Sequence, residues 1–319
     1  RQVLLLRHEQ EKHLDEVLKR KEKSEEIPEA LKNKIIRAHI DSTTAKNVMF
    51  ILVATPVEEV GRDHDFDWAI VEPSSYRSII QLSGRVRRHR QSKIDEPNVA
   101  VMQYNLRALR QNGKAETAAF CRPGYETAKS LKLSHHDLCK LIDETTLENS
   151  INAIPRITQP KNLNPKENLA DLEHQAMHNV LTSYNKTGPK NLQAWLSESW
   201  WLTALPQQIN RFRESAPETK LFLVWNEGKL EFCEKTESGE FINREPVHNI
   251  QKLPQIPEEL SKKLWLERNY TELLEKYVDE DDDDLNKEDS MNKKSKKYGE
   301  INIGPKGKYF YSDQLGMWK

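Results

Sequence analysis

The sequence predicts an α/β protein: a partial parallel sheet with flanking helices, then a helical linker, then a small α+β domain. The parallel sheet is predicted by three apolar runs of strand length, Val48–Ala54, Trp68–Glu72 and Asn98–Tyr104. These runs alternate with helical or polar segments, as strands buried in a parallel sheet do. The α+β domain is predicted by short apolar runs joined by Asn226-Glu-Gly228 and Ser238-Gly239, which are hairpin turn signals. We therefore expect domains at residues 1–105 and 166–319, with the linker at 106–165.

Composition excludes several classes of protein. The 319 residues carry 49 Lys and Arg against 50 Asp and Glu, so any affinity for nucleic acid must come from local patches rather than from net charge. No apolar run approaches the roughly 20 residues that a membrane-spanning helix needs. The three cysteines lie far apart without paired spacing, which indicates neither a disulfide framework nor a zinc site. We expect a protein of a reducing compartment, most simply the bacterial cytoplasm, without a membrane partner.

An arginine-rich stretch, Gln81–Arg90, dominates the first domain. Between Pro73 and Ile94 there is no acidic residue, yet six cationic side chains occur: Arg77, Arg85, Arg87, Arg88, Arg90 and Lys93. The guanidinium group is a planar, permanently charged fork that suits phosphate oxygens. On a helix, Arg85 and Arg88 would share a face, and Gly84 would leave room for a close backbone approach. A solvated, basic helix face would also explain these arginines if they are considered by themselves. The segment upstream therefore decides between this interpretation and a phosphate-binding site.

That segment is a polar loop following the Val48–Ala54 run. Open α/β sheets bind ligands just beyond the carboxyl ends of their strands. A second predicted strand and a helix capped by Ser74-Ser75 then lead into the arginines, all within about forty residues. This arrangement resembles motifs V and VI of superfamily 2 helicases. The residues that match motif V are Thr55, Glu59, Gly61 and Asp63, and those that match motif VI are Gln81, Gly84, Arg85 and Arg88.

The remaining elements are predicted from periodicity and from breaker residues. Helices are expected at Val3–Lys23, Leu31–His39, Ser134–Leu141, Leu169–Tyr184 and Leu260–Val278. The charged stretch 279–298 is expected to be a disordered acidic and basic loop. His135-His136-Asp137 could suggest a metal site, but further ligands are not evident, so we predict a capped helix start with exposed histidines and no metal. The phosphate loop G-x-x-x-x-G-K-[ST] does not occur in this sequence.

Longer stretches narrow the resemblance to one family. Ala54–Asp67 and Glu72–Arg90 resemble the CRISPR-associated helicase-nucleases of type I-F systems, and so do Phe120–Gly124, Trp200–Pro206 and Tyr311–Gly316. The resemblance implies most of a second RecA-like lobe, the linker and an accessory carboxyl-terminal domain. A fused adaptation module, a nuclease domain and the first lobe with its ATP-binding loop would precede Arg1. His64 departs from the family, in which an aliphatic residue is common at this position.

The same resemblance implies roles for individual residues. Arg85 and Arg88 would act as arginine fingers on ATP, and Gln81 would help to position the reacting region. Gly61, Asp63 and Gly84 would serve the nucleotide, whereas Thr55, Arg77 and Arg87 would contact the DNA backbone. ATP and Mg²⁺ would be bound mainly by the first lobe, and the nuclease metal ions by another domain. The implied partners are single-stranded DNA, the RNA-guided type I-F surveillance complex and, through the upstream fused domain, the adaptation integrase.

Two other functions remain open at this stage. The chain could belong to a superfamily 2 helicase of another pathway, such as repair or RNA remodelling, because motifs V and VI occur there too. It could also be a non-enzymatic module whose arginines bind nucleic acid or an acidic protein passively. Passive phosphate binding predicts steep salt dependence and indifference to ATP. For this chain alone, we expect ATP hydrolysis to be absent or very weak.

Overall fold

The structure is a computed structural model, which describes residues 1–21, 28–60, 63–90, 94–121, 123–148, 150–182, 188, 197–209, 217–253, 256–279, 286–305 and 307–319. Its helices are α1 (Leu4–Leu18), α2 (Lys34–Asp41), α3 (Tyr76–Ser83), α4 (Leu106–Arg110), α5 (Leu138–Leu141), α6 (Thr145–Glu148), α7 (Ile154–Ile157), α8 (Leu169–Leu181), α9 (Leu205–Ile209), α10 (Glu245–His248), α11 (Glu258–Ser261), α12 (Tyr270–Asp279) and α13 (Lys287–Tyr298). Its strands are β1 (Ala69–Val71), β2 (Val99–Val101), β3 (Thr219–Asn226), β4 (Lys229–Lys235), β5 (Phe241–Asn243), β6 (Ile250–Lys252), β7 (Glu300–Ile303), β8 (Tyr309–Ser312) and β9 (Gly316–Trp318).

The chain divides into two compact units. The first unit contains residues 1–17, 29–50 and 213–319, and the second unit contains residues 18–28 and 51–212. The predicted fold class is confirmed, because a small parallel sheet lies in the second unit and antiparallel pairing in the first. The predicted domain boundaries near residues 105 and 165 are not tested by this division and stay a prediction. The two units are defined only by contacts within this chain.

The second unit is built around the parallel pair of β1 and β2, in which Ala69 lies opposite Val99 and Val71 opposite Val101. The chain enters α3 through Ser75, whose Oγ accepts the Ser78 N–H at 2.9 Å, as the sequence predicted. Buried side chains from the sheet, α3, the following loops and α8 form one core, including Val71, Tyr76, Ile79, Ala108, Phe120, Leu133, Leu141, Leu169 and Leu172. This core fixes α3, and hence Gln81, against the rest of the unit.

The expected strand at Val48–Ala54 is not present. Residues 47–55 form neither helix nor strand, and the side chain of Val53 is 92% exposed. A parallel strand needs a neighbour to accept and donate its backbone hydrogen bonds. In the described part of the chain, the parallel sheet consists of β1 and β2, and this segment pairs with neither. The prediction of a buried strand was therefore wrong for this chain, because apolar composition alone does not supply a partner strand.

Several predicted helices have different bounds. The first, expected at Val3–Lys23, is α1 (Leu4–Leu18), and the last, expected at Leu260–Val278, is split into α11 and α12. The stretch 279–298 was expected to be disordered, but Lys287–Tyr298 is the helix α13, while the acidic residues 280–285 lie outside the described residues. Ser290, Met291 and Ser295 are buried on α13, so one narrow face of small and apolar residues outweighs the highly charged composition.

The first unit contains a four-stranded antiparallel sheet in the order β5-β4-β3-β7 and a three-stranded sheet in the order β6-β8-β9. The predicted hairpin between β3 and β4 is confirmed, and both turn residues have positive φ, 47° at Glu227 and 77° at Gly228. Helix α13 is tied to β3 because Ser295 Oγ accepts the Trp225 N–H at 2.8 Å. The core of this unit includes Leu6, Leu221, Leu223, Phe232, Tyr270, Leu274, Met291 and Ile301.

Across the described ranges, we find no helix that combines the length and the apolar composition needed to cross a membrane.

Candidate functional site

Backbone hydrogen bonds join the two helicase-like segments directly. The Phe66 N–H donates to the Arg85 carbonyl at 2.9 Å, and the Arg87 N–H donates to the Phe66 carbonyl at 2.8 Å. Phe66 and Val86 thus form an isolated parallel bridge. We call these contacts the motif bridge. It fixes the loop of residues 63–67 beside the segment that follows α3, so that polar groups from both segments converge.

The arginines follow the helix rather than lie on it. Helix α3 ends at Ser83, and Gly84 caps it by donating its N–H to the Ile80 carbonyl at 2.9 Å. Arg87 then adopts a left-handed conformation, with φ of 51°, which turns the chain. The prediction that Arg85 and Arg88 share a helical face was therefore wrong, because the helix ends before either residue.

Arg85 and Arg88 have different environments. Arg85 is only 8% exposed, and its Nη2 donates to the Glu59 carbonyl at 3.2 Å. Burial, followed by the nearby charge of Arg88, lowers the pKa of Arg85 from its ordinary value. The Arg88 side chain is 39% exposed, and its Nε lies 3.2 Å from Asp63 Oδ1. Of the two predicted fingers, Arg88 is the one that a ligand can reach without disturbing the core.

Asp63 is the centre of a cationic cluster. Its carboxylate oxygens lie 2.9 Å from His89 Nε2, 3.1 Å from Lys21 Nζ and 3.2 Å from Arg88 Nε. Hydrogen bonds from Lys21 and His89 lower the pKa of Asp63 to about 2, so this carboxylate is ionised at any pH near neutrality. The structure therefore brings Asp63 of the first segment and Arg88 of the second into direct contact.

Gln81 and Gly84 lie on the same end of α3. The Gln81 Oε1 atom is buried and has no hydrogen-bond partner among the residues that the structure describes. A Cβ atom at Gly84 would have the Ile80 carbonyl oxygen, at 3.3 Å, as its nearest neighbour, a tight contact that a shift of a few tenths of an ångström would relieve. Gly61, predicted to serve the nucleotide, lies outside the described residues.

The residues predicted to contact DNA differ in their exposure and contacts. Thr55 is exposed and stands before the 3₁₀ turn Pro56–Glu59, where its side chain makes no capping hydrogen bond. Arg77 is half-buried, and its Nη2 donates to the Pro123 carbonyl at 3.3 Å. Arg87 takes part in the motif bridge through its backbone N–H. Of the three, Thr55 offers the most accessible polar group.

Other polar contacts were not anticipated from the sequence. His64, the residue that departs from the family, is fully buried, with its Nδ1 2.7 Å from Glu58 Oε2. The Ser78 hydroxyl donates to the Glu59 carboxylate, and burial raises the pKa of Glu59. Arg90 pairs with Asp65 at 2.8 Å and with Asp67 at 2.5 Å. The alternating acidic residues of 63–67, opposite an arginine-rich stretch, were a usable signal of these pairs.

The side chains of His135-His136-Asp137 have separate partners. His135 Nε2 lies 3.2 Å from Glu167, His136 Nε2 lies 2.9 Å from Glu126, and Asp137 caps α5 by accepting the Cys139 N–H at 3.2 Å. The predicted start of this helix at Ser134 and the predicted exposure of both histidines were wrong, since His136 is fully buried. Among the described residues, no three His, Cys, Asp or Glu side chains form a group that could hold a metal ion.

Fold and site together define a partial RecA-like lobe with an accompanying α+β domain. The family described as "CRISPR-associated nuclease/helicase Cas3, C-terminal" matches residues 1–91, which include both segments of the motif bridge.

Curated relatives extend this similarity over most of the chain. A protein of Pseudomonas aeruginosa (strain UCBPP-PA14) named "CRISPR-associated nuclease/helicase Cas3 subtype I-F/YPEST" is 37% identical over 253 residues, which cover 77% of this chain and 22% of that protein. The protein of the same name from Pectobacterium atrosepticum is 37% identical over 199 residues, 60% of this chain and 17% of that protein. The predicted resemblance is confirmed: the chain is related to the carboxyl-terminal part of the Cas3 proteins of subtype I-F/YPEST. It spans about a fifth of the length of these relatives.

Proposed function

We propose that this chain forms part of an ATP-dependent, single-stranded-DNA translocase and nuclease that unwinds and degrades foreign DNA in type I-F CRISPR interference. In this proposal, the second unit supplies the arginine finger and contacts to the DNA backbone. The observation that carries the proposal is the motif bridge, which holds Asp63 and Arg88 in contact and places both beside α3. The names of the two relatives support the pathway.

The chemistry asked of the chain is the stabilisation of negative charge on a transferring phosphoryl group. An arginine does this well because its guanidinium is permanently charged and can make two parallel hydrogen bonds. Arg88 is reachable and is held by a carboxylate from the neighbouring loop. Asp63 would therefore hold Arg88 towards the nucleotide-binding cleft and couple the loop of residues 63–67 to Arg88. The buried Arg85 would hold the Glu59 carbonyl, and the loop that contains it, in place.

Gln81 would help to position the reacting region beside Arg88. The buried Gln81 Oε1 is an acceptor that lacks a donor within the described chain, and a water molecule can provide the missing O–H. The bare Cα of Gly84 would allow phosphate oxygens to approach the end of α3. Gly61 is proposed to serve the nucleotide loop on the strength of the family resemblance alone. ATP and Mg²⁺ would be held mainly by a first lobe that precedes this chain.

DNA would be contacted through its phosphates, since backbone contacts position a strand without reading its sequence. Thr55 offers an exposed hydroxyl for this purpose, and Arg77 and Arg87 are proposed as weaker contributors. The strand would come from the RNA-guided surveillance complex and pass to a nuclease domain, with its own metal ions, elsewhere in the polypeptide. The adaptation integrase would associate through the upstream fused domain, and the whole would work in the prokaryotic cytoplasm.

The proposal is tested on the full-length polypeptide that carries this chain. ATP hydrolysis should rise on addition of single-stranded DNA, and translocation should run 3′ to 5′. A helicase of another pathway would show the same stimulation but no dependence on the surveillance complex for loading. A passive binding module would bind DNA with steep salt dependence and ignore ATP. Binding without any DNA-stimulated hydrolysis would refute the proposal.

Replacement of Thr55 by alanine should reduce the stimulation of hydrolysis by DNA more than it reduces hydrolysis without DNA. The reason is that the Thr55 hydroxyl is exposed and makes no capping hydrogen bond, so its loss removes a proposed DNA contact without unfolding the 3₁₀ turn. ATPase rates at saturating and at zero single-stranded DNA measure the ratio. Thr117→Ala, a change at another exposed threonine of the second unit, is the control. Equal losses in both rates would contradict the assigned role.

A further inference from the structure

A carboxylate distant in sequence lies at the start of the helix that leads to the arginines. Glu173 belongs to α8 and is 2% exposed. Its Oε1 accepts the Tyr76 N–H at 2.6 Å and the Arg77 N–H at 3.3 Å. Tyr76 and Arg77 are the first two residues of α3, and 97 residues separate Tyr76 from Glu173. None of the roles proposed above uses this contact.

The contact completes the hydrogen bonding of the first turn of α3. The first N–H groups of a helix have no partner within the helix. Ser75 satisfies one of these donors in α3, because its Oγ accepts the Ser78 N–H, whereas the Ile79 N–H already makes the first bond of the helix itself, to the Ser75 carbonyl at 3.2 Å. The Tyr76 and Arg77 donors are the two that remain, and Glu173 takes both. A carboxylate at this position also interacts favourably with the helix dipole.

Glu173 is itself held in place. Its second oxygen, Oε2, lies 2.9 Å from Nε of Arg156 at α7, a charge contact whose angle does not make a hydrogen bond. The next residue, His174, contacts the Pro155 carbonyl through Nε2 at 3.0 Å. Leu169 and Leu172 of the same helix are 1% exposed in the core of the second unit. The carboxylate therefore has little freedom to move relative to the core.

We infer that Glu173 is a positioning residue for the proposed ATPase: it fixes the start of α3 and thereby the placement of Gln81 and of the segment carrying Arg88. The inference rests on the proposed function. A helix of eight residues is about 12 Å long and behaves as a rigid rod, so a shift at Tyr76 is transmitted to Gln81. Errors of about 1 Å at reacting groups can cost on the order of a hundredfold in rate.

Three substitutions distinguish the effects of side-chain length, side-chain charge and overall stability. Glu173→Asp keeps the charge but shortens the side chain, so it cannot reach both N–H groups. Glu173→Gln keeps the length and the acceptor oxygen but removes the charge. Asp171→Ala is the matched control, because Asp171 is a buried carboxylate on the same helix that accepts the Asn164 N–H at 2.8 Å instead of contacting α3.

The variants are compared in the full-length polypeptide by DNA-stimulated ATPase and by thermal unfolding. We expect Glu173→Asp to lower kcat by about tenfold or more, with little change in KM for ATP, because nucleotide binding would lie mainly on the first lobe. Glu173→Gln should keep most of the wild-type kcat. Asp171→Ala should keep kcat even where its melting temperature falls as far as that of Glu173→Asp.

Two results would overturn the inference. One is a Glu173→Asp variant with wild-type kcat, and the other is a loss of kcat that follows melting temperature equally for Glu173 and Asp171 variants. Arg88→Ala is measured in parallel. Normal hydrolysis by Arg88→Ala would refute the proposed function itself, whereas a dead Arg88→Ala variant with fully active Glu173 variants would refute the positioning role alone.

Discussion

Replacement of Arg88 by alanine in the full-length polypeptide is expected to reduce DNA-stimulated ATP hydrolysis by on the order of 10³-fold or more, the range found for arginine fingers. Folding and most DNA binding should be unaffected. The side chains of Arg88 and Asp63 are 39% and 32% exposed, so their ion pair is largely screened by solvent and contributes little to stability. The measurements are steady-state ATPase rates, the melting temperature and the affinity for single-stranded DNA.

Two further variants make this result specific. Arg110→Ala removes an exposed arginine from α4 of the same unit and should leave hydrolysis unchanged. Arg88→Lys keeps the charge but loses the planar fork, and it should fall between wild type and Arg88→Ala. Normal hydrolysis by Arg88→Ala would show that the assignment of the finger is wrong, irrespective of any effect on DNA binding.

Arg85 would be a poor first choice for this test. Its guanidinium is buried, and its removal would leave the Glu59 carbonyl without the hydrogen bond from Arg85 Nη2. An unsatisfied buried carbonyl costs stability, so a loss of activity in Arg85→Ala would mix misfolding with catalysis. The different exposure of the two arginines is what allows one of them to be tested cleanly.

The sequence predicted local structure well where the signal was local. The strands β1 and β2, the Ser75 cap and the β3–β4 hairpin depend on composition within a few residues, and all are present. Val48–Ala54 had an equally strong apolar signal but forms no strand in the described chain. A strand depends on a neighbour that can lie far away in sequence, and the apolar run itself carries no information about that neighbour.

The same difference between local and distant signals holds for the candidate site. Motif spacing identified Asp63 and Arg88, which the structure brings into contact, but the helical periodicity applied to Arg85 and Arg88 failed because Gly84 ends α3 first. The contact of Glu173 with the start of α3 was beyond sequence reasoning. A glutamate within an amphipathic helix is ordinarily solvated, and nothing near residue 173 indicates a partner 97 residues earlier.

A second large effect is expected at Gly124, in the Phe120–Gly124 stretch. A Cβ atom added there would lie far inside van der Waals contact with the backbone oxygens of Phe120 and Ser74. Backbone atoms cannot move aside as the end of a long side chain can. We therefore expect Gly124→Ala to destabilise the second unit by about 3 kcal/mol, the upper end of the usual cost of overpacking, or by more.

The damage should be centred on the start of α3, because Ser74 lies directly before the Ser75 cap. Hydrogen exchange in peptides covering residues 76–83 of the full-length polypeptide measures it, and thermal unfolding gives the overall loss. Gly84→Ala is the matched control: its Cβ would lie 3.3 Å from the Ile80 oxygen, which requires a shift of only a few tenths of an ångström, and its φ of −67° suits alanine. The Gly84→Ala variant should keep the wild-type protection of α3 from hydrogen exchange. It should nevertheless lose ATPase activity if phosphate approaches Gly84. Unchanged hydrogen exchange of α3 in the Gly124→Ala variant would mean that the Phe120–Gly124 stretch does not support the helix. It would also weaken the case that the placement of α3 depends on contacts with residues later in the chain.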